Sequence, residues 1–235
     1  MTFILGIIPA RGGSKGIPNK NITNLRKKPL LAHTIEAAKK SSLLHDFILS
    51  TDSEAIARCA AEYGLRSSSL RPPELSSDEA NSVDVAIYEI QKYENEHNVS
   101  VDIVVLLQPT APMRTSVDID CALNLFFKSN TASLISVYEA TTNHPNLMYY
   151  LNNDKLEPIL EEGRRLKRRQ EYKPVFIRNG ALYIVNKEQL VDRKSFVCAN
   201  PTAYIMSRER SVNIDDPFDL ELAEWMMSRH PNESE

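Results

Sequence analysis

Arg11, Lys15 and Lys20 stand in one loop with Gly12, Gly13 and Gly16, directly after an apolar run from Phe3 to Ile8. Full charges on such a loop suit a polyphosphate. Glycines carry no Cβ and tolerate unusual φ, so the backbone can come close to a ligand. Successive free N–H groups in a turn make a concave anion site. A short apolar run bounded by Gly and Pro reads as a buried strand, which puts the loop at its carboxyl end. A surface turn rich in Gly and Lys has the same composition. The common phosphate motifs do not fit. A P-loop needs Gly-Lys-Ser/Thr opening a helix, and here the order is Ser14-Lys15-Gly16. The dinucleotide fingerprint needs a glycine at the position of Ser14. Pro18 and Asn19 argue against a helix starting directly after the glycines. The expectation is a long irregular loop that wraps a nucleotide through Gly12, Gly13, Ser14, Lys15, Lys20 and Asn21.

Three further stretches carry usable chemistry. In Gln108-Pro109-Thr110-Ala111-Pro112-Met113-Arg114, two prolines stiffen a loop after an apolar strand. Gln108 can bond a hydroxyl or carboxylate, and the planar fork of Arg114 suits a carboxylate or phosphate. A rigid turn serving only its own backbone is the alternative. Next come Arg168-Arg169-Gln170 and Arg178-Asn179-Gly180-Ala181-Leu182-Tyr183, where Asn179 and Tyr183 offer neutral partners for sugar hydroxyls. The last is Asn213-Ile214-Asp215-Asp216. In an extended segment Asn213 and Asp215 point the same way. A carboxylate and an amide oxygen can hold Mg²⁺, which prefers few protein oxygens plus substrate phosphates. Equally, Asp215 or Asp216 can cap the helix that Pro217 begins.

These residues need strand ends to hold them, and the chain supplies alternating patterns. Strands are expected over Phe3–Ile8, Phe47–Ser50, Val101–Leu107, Ser133–Val137 and Ala181–Val185. Val101–Leu107 is nearly all apolar, as in a parallel sheet covered on both faces. Helices are expected over Pro29–Lys40, over Glu54–Tyr63 with Gly64 as its stop, and around Val83, Ile87 and Ile90. Ser116 is expected to cap one to Lys128, and a last runs from Pro217 through Met227. The alternation predicts a doubly wound, mostly parallel α/β sheet whose ligands lie beyond the strands' carboxyl ends. Residues 138–178 break the pattern and read as an inserted lobe or hairpin, or as a plain long loop.

Composition excludes several classes. The 235 residues suit one domain, and the net charge of −3 gives no general reason to bind nucleic acid or a membrane. The basic run Arg164–Arg169 lacks aromatic interleaving and reads as a solvated face. No apolar run approaches the ~20 residues that span a bilayer. Without a basic region ahead of Phe3–Ile8, a signal peptide is not expected either. Cys59, Cys121 and Cys198 have no metal-ligand spacing and read as reduced thiols in the cytoplasm. His33, His45, His97 and His230 form no metal pattern, and no Gly-x-Ser-x-Gly elbow occurs.

Together these stretches resemble the acylneuraminate cytidylyltransferases, or CMP–sialic acid synthetases, which include enzymes for legionaminate and pseudaminate. The opening loop is similar to the signature IPARxGSKxIPxKN. Ser50-Thr51-Asp52-Ser53, Arg71-Pro72-Pro73-Glu74-Leu75, the QPTxPxR run, Arg169-Gln170, Asn179–Tyr183 and Ile214-Asp215 follow in the family's order. The resemblance implies a sugar-nucleotidyltransferase fold and a homodimer in which the middle insertion reaches the partner. It implies that Arg11, Ser14, Lys15, Lys20 and Asn21 hold CTP, with Arg71 and Ser82 near its phosphates or base. Gln108, Arg169, Asn179 and Tyr183 would face a nine-carbon 2-keto sugar acid, with His144-Pro145 nearby, and Asp215 would bind Mg²⁺. The implied reaction joins CMP to the acid's anomeric hydroxyl and releases pyrophosphate, supplying a CMP-sugar for surface glycans such as lipopolysaccharide. The chain departs from the family's pattern at Asn213, commonly Asp, and at Gln170-Glu171-Tyr172-Lys173-Pro174, often Gln-Asp-x-Pro. The rivals are a synthetase for 3-deoxy-manno-octulosonate and, motivated by Asn213, a nucleotide-binding module weakened in catalysis.

Overall fold

The computed structural model describes residues 2–77, 80–164, 168 and 171–229. Six strands form one sheet: β1 (Ile4–Pro9), β4 (Asp46–Ser50), β5 (Ile103–Leu106), β6 (Ser133–Glu139), β9 (Phe176–Asn186) and β10 (Thr202–Ile205). Their order is β10-β6-β9-β5-β1-β4. Side chains alternate across β1, and both faces are buried. Ile4 and Ile8 join a cluster with Leu31, Ile35, Ile119 and Leu123. Leu5 and Ile7 join another with Ala86, Ile90, Val104 and Leu190. Helices α1 (Leu30–Lys40), α2 (Glu54–Glu62) and α4 (Ser116–Lys128) therefore cover one face, and α3 (Ser82–His97) and α5 (Lys187–Arg193) cover the other.

The sheet is parallel except at β9. β1 pairs parallel with β4 and β5, and β10 with β6. β9 runs antiparallel to both its neighbours, so β5 is parallel on one side only, with Val104 opposite Val185. The β6–β9 register shifts between Ile135 and Val137, and Gly180 beside it takes φ 74°. At the head of α4 the cap is Thr115, not Ser116: its side chain accepts from Asp118 N while the Asp118 carboxylate accepts from Thr115 N. That reciprocal box satisfies two helix-end donors at once.

Within 138–178 a turn at Pro145–Leu147 leads into a hairpin of β7 (Tyr149–Asn152) and β8 (Lys155–Pro158). Asn153 and Asp154, at φ 47° and 66°, make its two-residue turn, the residue types that accept positive φ there. A second short pair, β2 (Asn24–Leu25) with β3 (Lys28–Pro29), leads into α1, and α6 (Pro217–Arg229) closes the described chain.

Candidate active site

Beyond the carboxyl ends of β1, β4 and β5 lies a cleft of about 440 Å³. Arg11, Ser14, Lys15, Lys20 and Asn21 line it from the opening loop, Arg71 and Ser82 from one wall, Gln108 from the floor, and Asp215 from the rim. Nine of the residues singled out from sequence thus meet in one place.

Backbone ties hold the loop there without a helix. Ala10 N donates to Ser50 O at 2.9 Å, and Gly12 N donates to Asp52 Oδ1 at 2.8 Å. Asn21 Nδ2 donates to Arg11 O at 3.0 Å, so the buried Asn21 side chain closes the loop on itself. At Gly16 a Cβ would fall 2.1 Å from Asp215 O, a contact that only glycine permits. Lys20 Nζ donates to Ile214 O at 2.8 Å and to Asp215 Oδ1 at 3.1 Å. Ile214 N in turn donates to Thr110 O at 2.8 Å. Three sequence-distant segments are therefore fastened into one wall.

Arg71 is buried at the cleft's other wall. Its Nε donates to Ser50 Oγ at 3.0 Å, its Nη2 to Ser50 O at 2.7 Å and its Nη1 to Leu75 O at 3.2 Å. Burial lowers its pKa, Arg11 nearby lowers it further, and Asp52 and Glu89 oppose the shift.

The acidic end divides its two possible jobs between neighbours. Asp216 Oδ1 accepts from Asp219 N at 3.0 Å, while Asp219 Oδ2 accepts from Asp215 N and Asp216 N, which caps α6. That leaves the Asp215 carboxylate, 70% exposed, facing the cleft beside Lys20. Asn213 Nδ2 donates to Asp215 Oδ2 at 3.1 Å, and Asn213 Oδ1 is buried with no partner among the described residues. Which end of an amide is oxygen follows from its partners. Turned over, Asn213 would set its oxygen beside the Asp215 carboxylate. Among the described residues no group of three or more His, Cys, Asp or Glu could hold a metal ion. The Asp215 carboxylate and the Asn213 amide oxygen are hard oxygen donors, the kind that Mg²⁺ takes beside phosphate and water.

The sequence profile of the cytidylyltransferase family matches residues 5–224. The chain belongs to that family. It is 36% identical over 216 residues to the N-acylneuraminate cytidylyltransferase of Streptococcus agalactiae serotype V, covering 91% of this chain and 51% of that protein. The chain thus spans about half the length of the first curated relatives it matches. With the CMP-N,N'-diacetyllegionaminic acid synthase of Legionella pneumophila it shares 34% identity over 228 residues, covering 95% of this chain and 96% of that one. Among solved structures it is similar in fold to a CMP:2-keto-3-deoxy-manno-octonic acid synthetase complexed with CTP. The TM-score is 0.73 at 15% identity, covering 97% of this chain and 100% of that one.

The other residues expected to face a ligand lie elsewhere. Arg114 is 2% exposed and does not line the cleft. Its Nη1 donates to Gln108 O at 3.2 Å and Ala181 O at 2.9 Å, tying the cleft floor to β9. Burial outweighs the attraction of Asp118 and pulls its pKa down to about 10, so the guanidinium stays charged at neutral pH. Asn179 is also buried: its Oδ1 accepts from Ser136 Oγ at 2.6 Å, and its Nδ2 donates to Ser211 Oγ at 2.9 Å. Arg114 thus bonds two main-chain carbonyls through Nη1, while its Nε and Nη2 are buried with no partner among the described residues, and Asn179 ties Ser136 to Ser211. Tyr183 packs beside Phe196 on the α3 and α5 face. His144 stacks on Tyr172, and with Asn146 N donating to its Nδ1, its Nε2 is left to donate to Lys173 O. It borders a separate cavity at the foot of the hairpin. Arg169 lies outside the described residues. Gly12 and Gly13 shape the loop rather than line the cleft, and a Cβ on Gly13 would meet nothing within 4 Å.

Ala80 and Val85 in the cleft wall and Glu89 behind Arg71 were not singled out from sequence, and Thr110 and Ser50 were named only within their motifs. Glu89 had a signal. It lies on the apolar stripe of α3 with Val85, Ala86, Ile90 and Tyr93, where an unpaired acid does not belong.

Proposed function

We propose that this protein transfers CMP from CTP to the anomeric hydroxyl of a nine-carbon 2-keto sugar acid. The observation that carries the proposal is the cleft itself: Arg11, Lys15 and Lys20 gather on one side and Gln108 on another, with Asp215 at the rim. The names of relatives at 36% and 34% identity point the same way. The likeness to the eight-carbon acid synthetase, at 15% identity, is one of fold alone.

In this scheme the hydroxyl oxygen bonds to the α-phosphorus and gives up its proton to water, the bond to the bridging oxygen breaks, and pyrophosphate leaves with both its electrons. Such a transfer needs position and charge neutralisation more than covalent help. Lys15, Arg11 and Lys20 would stabilise charge on the α-phosphate and the departing pyrophosphate. Ser14 and Asn21 would hold the triphosphate, with Arg71 and Ser82 toward the nucleoside. Gln108 would orient the acid. Asp215, with Asn213, would hold Mg²⁺, whose chemistry here is to neutralise phosphate charge. The β7–β8 hairpin would pair two copies, and the protein would work in the cytoplasm. Among the described residues no helix is long and apolar enough to cross a membrane.

The test is pyrophosphate release from CTP with Mg²⁺ and, in parallel, sialic, legionaminic, pseudaminic and 3-deoxy-manno-octulosonic acids. Release with one of the first three supports the proposal. Release with the last alone, or with none despite CTP binding, overturns it.

A further inference from the structure

Glu89 is 4% exposed in the middle of α3, a position where a carboxylate is costly unless it is bonded. Its Oε1 accepts from Ser50 Oγ at 2.6 Å. The nearest ammonium, Lys92 Nζ, is 3.9 Å from Oε2. Ser50 is fully buried at the end of β4, and its hydroxyl has a single hydrogen. An ionised carboxylate only accepts, so that hydrogen is committed to Glu89. A lone pair of Ser50 Oγ is then turned to Arg71 Nε, 3.0 Å away.

We propose that Glu89 is a positioning residue for nucleotide binding, setting the Arg71 guanidinium at the cleft wall through the Ser50 hydroxyl. The proposal rests on the cleft being the CTP site. Three of the five Arg71 N–H groups are used by Ser50 Oγ, Ser50 O and Leu75 O. With Nε and Nη2 held on Ser50, Arg71 lines the same cleft as Ser82 and Val85. Charge needs the same arrangement. Arg11 repels Arg71, and Glu89 and Asp52 are the carboxylates that offset it. Asp52 is the larger of the two offsets, and Glu89 is the one joined to Arg71 through a shared hydroxyl, that of Ser50. Residues 50–52 thus serve both halves of the cleft, and Glu89 orients the half that the opening loop does not reach.

The experiment is calorimetric titration of CTP into the wild type, Glu89→Gln, Ser50→Ala and the double variant, with melting temperatures and steady-state KM for each substrate. Each single change should raise the CTP Kd about tenfold, the scale of one charge-assisted hydrogen bond. Because both act through one relay, the double variant should also lose only about tenfold. KM for CTP should rise while KM for the sugar acid stays put, a split that general loosening would not give. CTP binding within about twofold of wild type in a folded variant overturns the proposal, as do losses that multiply in the double variant. A parallel rise in both KM values overturns it too. Where Glu89→Gln does not fold, Ser50→Ala is judged alone by the same limits. A wild type that binds CTP but releases no pyrophosphate defeats the proposed function and leaves this titration decisive. One that does not bind CTP defeats both.

Discussion

Gly180 takes φ 74°, and a Cβ there would lie 2.7 Å from Gln108 Oε1 and 3.5 Å from Asn213 Oδ1. Positive φ and the absent methyl are both required, because Gln108 occupies the space a side chain would fill. Gly180→Ala should therefore cost about 1–3 kcal/mol of stability from backbone strain and crowding. It should also push Gln108 off its place, raising KM for the sugar acid while the CTP Kd, measured by calorimetry, stays near wild type. An unchanged KM for the acid would remove Gln108 from the substrate side. Lys15 is the opposite kind of residue, exposed on the cleft-lining loop. Losing its charge should remove transition-state stabilisation with little effect on folding. Lys15→Ala should lower kcat about 10²–10³-fold, with a melting temperature within about 2 °C of wild type. Pyrophosphate-release kinetics beside a thermal melt read both. A normally active, normally folded variant would show that Lys15 has no part in the reaction.

At the head of α4, Asp118 joins three elements. Its Oδ1 accepts from Arg210 Nη2 at 2.8 Å and Tyr204 OH at 3.0 Å, and its Oδ2 accepts from Arg210 Nη1 at 2.9 Å and Thr115 N at 2.8 Å. Burial alone would raise its pKa, but the bonds from Arg210 and Thr115 outweigh it and the net shift is downward. A carboxyl with a depressed folded pKa stabilises the fold above its unfolded value, about 3.9, and that stability is lost as pH falls through the folded value. Asp118→Asn should cost about 2–3 kcal/mol at pH 7, discounted for the partly exposed Arg210, or roughly 4–10 °C. Melting curves from pH 7 to 3 should show the gap between wild type and variant narrowing at the acid end. A constant gap would mean that ionised Asp118 contributes nothing. Such ties mark what could be read from the chain beforehand. Ser116–Lys128 and Leu30–Lys40 fall where 3.6-residue spacing puts them, because their buried stripes are local patterns. The antiparallel direction of β9 is set by partners far off in sequence, so Ala181–Val185 could be recognised as a strand but not oriented. The gathering of the opening loop's cations and Asn21 at one cleft was legible, since glycines and charges after a strand advertise it. Arg114 and Asn179 were not legible as core residues, because the carbonyl and hydroxyls they bond come from segments far off in sequence.

For the molecule as a whole, the β7–β8 hairpin presents Leu151 and Leu156 at its surface, little covered among the described residues. Leu151 pairs with Leu156 and Tyr149 with Pro158 across the two strands, so these four side chains share one face by the two-residue period. Tyr150, Asn152, Lys155 and Glu157 form the other face. The first is apolar, yet Leu151 and Leu156 are 72% and 65% exposed. A two-stranded hairpin is marginal alone, and an exposed apolar face of this kind marks an interaction surface. A second copy of the chain is the occupant proposed above. Pairing by a twofold axis would bury each hairpin against the other subunit, and a stable dimer needs roughly 1,200–2,000 Å² of total buried surface. Light scattering after size exclusion at micromolar concentration should therefore give a dimer for the wild type. Leu151→Glu combined with Leu156→Glu should give a monomer, because two carboxylates on each copy would have to be desolvated to pair. The sheet lies apart from this hairpin, so the double variant should keep its far-ultraviolet circular dichroism. If its pyrophosphate release also falls at low protein concentration and recovers at high, the partner supports the active cleft. A monomeric wild type under these conditions removes the hairpin from any role in self-association.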